Sequence, residues 1–353
     1  MRSILIVGDF SSAGSFLTYG FEKRGIKVTH IAYQNGWREN PIQNNLTSNY
    51  KGIIGKIHNY IKPFTLNHLK GHDAVIFLDY FPFPRTFGIN SRFTKLIQES
   101  NKFSYLWVMG CDSRMREWGK VKNFDLCNSC LIYDQKSLVC ICEKDRAAEE
   151  TFLEGIDAIV PACFEYHEAH KGNPKTGNII QLPVLLPLSQ PISDTSVKKD
   201  KINIFHGLNR YGFKGTHIVQ RVFGDLNEEY SKRVNFLING KLTFNNYNKL
   251  LDLQDIVVDQ IFNQSMGINA LLTLAKGKIL VSGDPSPACG ALNIPLPPMV
   301  TIEPSIKGLK RGIEYVIDNY DKLKVLKDEG REYVRKFHAP EVIAGKFIEV
   351  FGW

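Results

Sequence analysis

Long apolar runs are what this 353-residue sequence lacks. No stretch approaches the roughly 18 uninterrupted apolar residues of a membrane-spanning helix. The opening Met1-Arg2-Ser3 leads into Ile4-Leu5-Ile6-Val7, which is too short for a secretory signal and reads as a first buried strand. A cytoplasmic chain is therefore expected. No G-x-G-x-x-G follows that strand, which removes the signature of a nicotinamide dehydrogenase. No Asp-x-Asp pair is present to hold a catalytic metal against phosphates. Dense Lys/Arg blocks, finger spacings and RNA-binding aromatic motifs are missing too, so nucleic acid is not an expected partner. Cysteines are few, and in a cytosolic chain seven of them argue against a disulfide framework.

What is present is a basic, moderately apolar chain. Forty-four Lys and Arg stand against 36 Asp and Glu, a net charge of +8. That balance favours anionic partners such as nucleotide phosphates or an acidic membrane surface; a dispersed, solvated excess is the plain alternative. A hydrophobic fraction of 43% fills two ordinary cores, and the length predicts two domains.

Short apolar runs alternate with longer mixed stretches. Ile4–Val7, Lys27–Ala32, Ala74–Leu78, Tyr105–Met109, Ala158–Val160 and Ile179–Leu182 read as strands, with a helix over Ser15–Arg24. Strands separated by helical stretches predict parallel β-α-β units with helices on both sheet faces. From Pro183 to Lys201 the periodicity stops: Pro183, Pro187 and Pro191 are followed by Ser193-Asp194-Thr195-Ser196 and three lysines, the composition of a linker. The rhythm then restarts at Ile202–Phe205 and continues through Val234–Ile238, Ile256–Val258, Ile279–Val281 and Met299–Ile302. Helices are expected over Gly267–Ala275, Ile306–Asn319, Tyr320–His338 and from Pro340 to the end. The aromatics Phe347, Phe351 and Trp353 have the spacing of a buried helix face.

The stretch Phe205-His206-Gly207-Leu208-Asn209-Arg210-Tyr211-Gly212-Phe213-Lys214-Gly215 resembles the start of the donor domain in group 1 retaining glycosyltransferases of the GT-B fold. Asp255–Gln260 and Gly267–Lys278 resemble that family's nucleotide-site helix with the strand before it. Gly8-Asp9-Phe10-Ser11-Ser12-Ala13-Gly14 resembles its first loop, and Gly110-Cys111-Asp112-Ser113-Arg114 a Gly-Ser-Asp-x-Arg segment. The chain departs from the family in two places. Gln264 and Leu272 stand where two glutamates are common, and Arg210 and Lys214 are one residue closer than usual.

The resemblance implies a GT-B α/β fold, two Rossmann-like domains facing each other across a cleft. The acceptor domain would span residues 1–190 with a Cys-rich insertion at 111–142, the donor domain 191–335, and a C-terminal helix at 336–353 would return to the first domain. It implies transfer of a sugar, with retention, from a nucleotide-diphosphate-sugar to a glycan or lipid-linked acceptor in surface polysaccharide biosynthesis. The enzyme would work in the cytoplasm or peripherally at the inner face of the membrane, with no catalytic cofactor.

Arg210 and Lys214 would neutralise the departing diphosphate, helped by the backbone N–H groups of Ser265, Met266 and Gly267 at a helix start. His206 and Asp112 are the catalytic candidates. A structural histidine and a helix-capping carboxylate are their plain alternatives. Gly8, Asp9, Gly14, Arg114, Asp259 and Asn269 are further cleft candidates. Cys127, Cys130, Cys140 and Cys142 could hold a structural zinc, or be reduced thiols. The rival readings are a catalytically silent GT-B subunit for glycan binding or assembly, prompted by Gln264 and Leu272, and a sugar-nucleotide epimerase.

Overall fold

The structure is a computed structural model that describes residues 1–34, 42–135, 143–185 and 200–353. The chain divides into two compact units. The first comprises Met1–Arg116, Val139–Pro183 and Pro340–Trp353, and the second Glu117–Leu138 and Val184–Ala339. The division falls inside the helix Ser113–Val121. The helix Asp125–Tyr133, which the sequence reading attached to the first domain, thus belongs to the second unit, and the terminal helix Pro340–Val350 belongs to the first.

The first unit is built on six parallel strands: β1 (Ser3–Val7), β2 (Lys27–Ala32), β3 (Asn44–Asn45), β4 (Ala74–Phe77), β5 (Ser104–Val108) and β6 (Ala158–Pro161). Their order is β3-β2-β1-β4-β5-β6. Every residue of β4 and β5 is buried, as helices on both faces of a parallel sheet require. The second unit has five: β7 (Ile202–Leu208), β8 (Val234–Gly240), β9 (Ile256–Val258), β10 (Ile279–Ser282) and β11 (Val300–Thr301). These are also parallel, in the order β11-β10-β9-β7-β8. The strand order reverses between β1 and β4 in one sheet and between β7 and β9 in the other. Open parallel sheets bind ligands outside the carboxyl ends of strands at such a reversal.

One local device recurs. Asp73, Asp157 and Asp255 each stand one residue before a strand, and each carboxylate accepts the backbone N–H of a residue starting the neighbouring strand. The pairs are Ser3 N to Asp73 at 2.9 Å, Ser104 N to Asp157 at 2.7 Å and Asn203 N to Asp255 at 2.9 Å. Each satisfies a main-chain donor where a ladder begins.

Ile179–Leu182, expected as a strand, is buried extended chain outside any ladder. Ile180 N–H donates to the Pro161 carbonyl, and the Ile180 carbonyl accepts the Trp107 indole N–H at 2.9 Å. The expected helix Tyr320–His338 begins later, at Val325. Most of the proline-rich stretch lies outside the described residues.

The terminal helix lies against Ala13–Lys23. Its Phe347 is fully buried between Phe21 and Trp107, with ring centroids 6.2 and 5.1 Å away. Gly20 makes this approach feasible: a Cβ there would stand 2.1 Å from the Pro340 carbonyl oxygen. Gly20→Ala should therefore lower stability by about 1–3 kcal/mol through overpacking. Gly224→Ala, on an exposed helix face with open space around it, should raise stability by about 0.4–1 kcal/mol. Thermal denaturation of the two variants should move in opposite directions.

Candidate functional site

In the second unit, the loop after β7 enters the reversal through a series of tight turns. Lys214 N–H donates to the Arg210 carbonyl, Gly215 N–H to Gly212, and Thr216 N–H to Tyr211. Gly215, at φ +70°, starts the helix Thr216–Tyr230, and a side chain there would collide with Ile261. The helix Asp125–Tyr133 clamps the same loop. Ser129 Oγ donates to the Gly212 carbonyl at 2.8 Å, and Asp134 accepts the Phe213 N–H at 2.9 Å. Gly212 lies so close that a Cβ would stand 2.4 Å from the Ser129 carbonyl oxygen.

Lys214 turns inward. Its Nζ meets Asp259 Oδ1 at 2.9 Å, with 7% and 1% of the two side chains exposed. Asn269 Nδ2 donates to the same oxygen at 2.7 Å, and the Tyr247 hydroxyl donates to Asn269 Oδ1. Lys214 is thereby tied through one carboxylate to the first turn of the helix Ile268–Ala275. The leading N–H groups of that turn have no partner within the helix, which favours an anion beside Ser265, Met266 and Gly267.

Arg210 is half-buried. Its Nη2 donates to Cys130 Sγ at 2.9 Å, and its guanidinium lies 4.1 Å from the centre of the Phe213 ring. In the loop after β9, Gln260 Oε1 and Asn263 Oδ1 are buried with no hydrogen-bond partner among the described residues. Both are acceptors, suited to hydroxyl donors. A groove of about 530 Å³ at the β11 edge, lined by Thr301, Glu303, Arg311 and Tyr315, contains none of these residues.

His206 is held from three elements. It is fully buried, its Nδ1–H donates to the Val258 carbonyl, and its Nε2 accepts the Thr216 hydroxyl, both at 2.9 Å. Burial, then the nearby Lys214 charge, push its pKa from the ordinary 6.5 down to about 4. With both nitrogens engaged, the neutral ring ties β7, β9 and the following helix together.

In the first unit, Gly8 takes φ +100° after β1, and Ser11 and Ser12 follow at +53° and +69°. Consecutive non-glycine residues in the left-handed region mark a strained turn, a feature that concentrates at ligand sites. Asp9 caps the next helix, accepting Gly14 N–H and Ser15 Oγ at 3.0 Å each. Burial raises its pKa, against lowering by His30 and these hydrogen bonds. Gly14 is required by close approach, since a Cβ would stand 2.9 Å from the Gly8 carbonyl oxygen.

Asp112 is buried and accepts three donors: His170 Nε2 at 2.6 Å, the Tyr80 hydroxyl at 2.9 Å and the Met115 N–H at 2.8 Å. Burial works against its ionisation, but the bonds from His170, Met115 and Tyr80 prevail and hold the carboxyl below its ordinary range. One oxygen thus caps the next helix, and the other holds a buried histidine and a phenol. Arg114 pairs with Glu150 at 2.6 Å, while its Nη1 is buried with no partner among the described residues.

Cys127 and Cys130 share the helix Asp125–Tyr133, and Cys140 and Cys142 lie outside the described residues. Among the described residues no group of three or more His, Cys, Asp or Glu is placed to hold a metal. The clamp of Ser129, Cys130 and Asp134 on the Arg210 loop escaped the sequence reading. So did Tyr80, His170, Tyr247, Gln260 and Asn263.

No protein-family model matches the chain, and no curated protein matches its sequence. Solved glycosyltransferases match its structure end to end. Sucrose-phosphate synthase from Thermosynechococcus elongatus aligns with TM-score 0.61 at 14% identity, covering 99% of this chain and 98% of that one. Anabaena HepE, solved with UDP-glucose, aligns at 0.60 and 11%, covering both chains completely at 100%. WaaG, a glycosyltransferase of lipopolysaccharide biosynthesis, aligns at 0.54 and 11%, covering 98% and 99%. The fold is GT-B.

Two outcomes are expected from this geometry. Asp259→Ala strands the Lys214 ammonium in a dry site and should cost about 3–5 kcal/mol. Because folding lowers the His206 pKa, the unfolded chain takes up the extra proton as pH falls from 6.5 towards about 4. The contribution of a neutral His206 is complete above that window and is lost through it. Melting temperatures measured across the window should decline for the wild type, with a shallower decline for His206→Asn.

Proposed function

We propose that the chain is a retaining, hexosyltransferase-type glycosyltransferase that takes its sugar from a nucleotide-diphosphate donor. The acceptor is a glycan or lipid-linked glycan of surface polysaccharide synthesis, used in the cytoplasm at the inner face of the membrane. One observation carries the donor site. At the strand reversal of a GT-B unit, the Arg210–Lys214 loop and the first turn of Ile268–Ala275 are joined through Lys214, Asp259 and Asn269. A diphosphate there meets the Arg210 guanidinium and the N–H groups around Ser265, Met266 and Gly267. These stabilise the charge that grows as the glycosidic bond breaks. Lys214 contributes through the pair it already forms, and Gln260 and Asn263 accept hydroxyl groups of the donor. The nucleotide bound by HepE supports UDP as the first donor base to test.

In a nucleotide-release assay, Arg210→Ala should weaken the transition state by about 2.7–4 kcal/mol, taking a lost oxyanion donor as the guide. Its melting temperature should stay near that of the wild type. Arg210→Lys should recover little, because an ammonium lacks the bidentate fork. Wild-type turnover by Arg210→Ala would sink the assignment.

Gln264 and Leu272, in place of the usual glutamates, favour a second reading, a silent subunit that binds glycan or donor without turnover. Donor-induced thermal stabilisation with no nucleotide release under any acceptor would select it.

A further inference from the structure

The helix Gly52–Ile61 faces the wrong way for a soluble protein. Helices of globular domains turn their apolar stripe to the core. Here the seated side carries Gly55 and Asn59. Gly55 is buried, and Asn59 accepts the Ser48 N–H through Oδ1 and the Tyr33 hydroxyl through its carbonyl, both at 2.6 Å. The Tyr60 hydroxyl donates to Thr86 at 3.0 Å, fixing the helix further. The stripe of Ile53, Ile54, Ile57 and Ile61, at spacings i, i+1, i+4 and i+8, points outward with 75, 66, 51 and 54% of each residue exposed. Phe64 extends the patch at 53% exposure, and Phe87, 89% exposed, lies 6.0 Å from the Tyr60 ring. Phe87 also takes φ +56°, a strained setting for an aromatic side chain on a surface.

The charge along the stretch that carries this helix has one sign. Between Glu39 and Asp73 there is no acidic residue, while Lys51, Lys56, Lys62 and Lys70 all fall in that interval. A second copy of the chain on this face would set lysines against lysines. A bilayer rich in anionic lipid accepts both features, burying isoleucine and phenylalanine at the acyl boundary beneath a ring of ammonium–phosphate contacts.

We propose that the helix Gly52–Ile61, with Phe64 and Phe87, is the surface by which the first unit docks on an anionic bilayer. The inference gives a location to the membrane contact in the proposed function. It rests on no residue of the donor site, so the two can fail separately.

The test is co-sedimentation of the full chain with phosphatidylcholine vesicles, alone or mixed equally with phosphatidylglycerol. The wild type should bind the mixed vesicles, bind the neutral ones weakly, and release from the mixed ones as salt is raised. The double variant Ile53→Ser, Ile57→Ser should lose binding about tenfold or more, as two fully apolar contacts are removed. Lys51→Gln and Lys56→Gln should each weaken it about fivefold. All these residues are exposed, so melting temperatures should hold, and Arg210→Ala should bind vesicles like the wild type. Failure of the wild type to bind anionic vesicles overturns the proposal, as does binding by the serine pair at wild-type strength. So does a dimer, seen by light scattering, that the serine pair dissociates.

Discussion

An ammonium and a carboxylate held 2.9 Å apart with almost no solvent contact set the conditions for the rest of the second unit. Desolvating both ions is costly, and their attraction offsets the cost only when the remaining polar groups find partners. Asn269 supplies one, and Tyr247 in turn occupies Asn269. The chain of contacts therefore has to extend from the loop after β7, through the end of β9, into the helix Ile268–Ala275. His206 answers to the same ions. A second positive charge beside Lys214 would undo the balance, and the ring stays neutral between Val258 and Thr216. Lys214 is thereby neutralised at short range within its own unit.

The first unit handles a buried carboxylate differently. Asp112 is satisfied by an imidazole, a phenol and a backbone N–H. The strained turn at Gly8, Ser11 and Ser12 is the less settled element of that unit. Asp9, just before the two left-handed serines, grips the helix start from both oxygens.

Apolar runs made the sheets legible in the sequence. Ile4–Val7 and Ile256–Val258 are buried on both faces, and continuous hydrophobicity is what parallel strands under two helical layers demand. The same rule misassigned Ile179–Leu182, which is also buried but joins no ladder, the Ile180 carbonyl accepting the Trp107 indole N–H instead. The two-residue strand Asn44–Asn45 is polar and exposed, with nothing in its side chains to announce it. At the site, Arg210 and Lys214 were legible as a motif, whereas their partners were not. Cys130 lies 80 residues from Arg210 in sequence, and Asp259 lies 45 from Lys214. Nothing in the spacing of Cys130 announced that its sulfur accepts from the Arg210 guanidinium.

Periodicity has a further limit, and Gly52–Ile61 exposes it. Isoleucines at helical spacing state that a helix has two unlike faces, but not which face the protein keeps. Gly55 and Asn59 decide that: a residue without a side chain lets the helix lie close, while the Asn59 amide anchors it to Ser48 and its backbone carbonyl to Tyr33. A helix held by its small and polar side must leave its apolar side outward. Water alone does not stabilise that arrangement, and a run of lysines without acids beside it matches the proposed anionic surface.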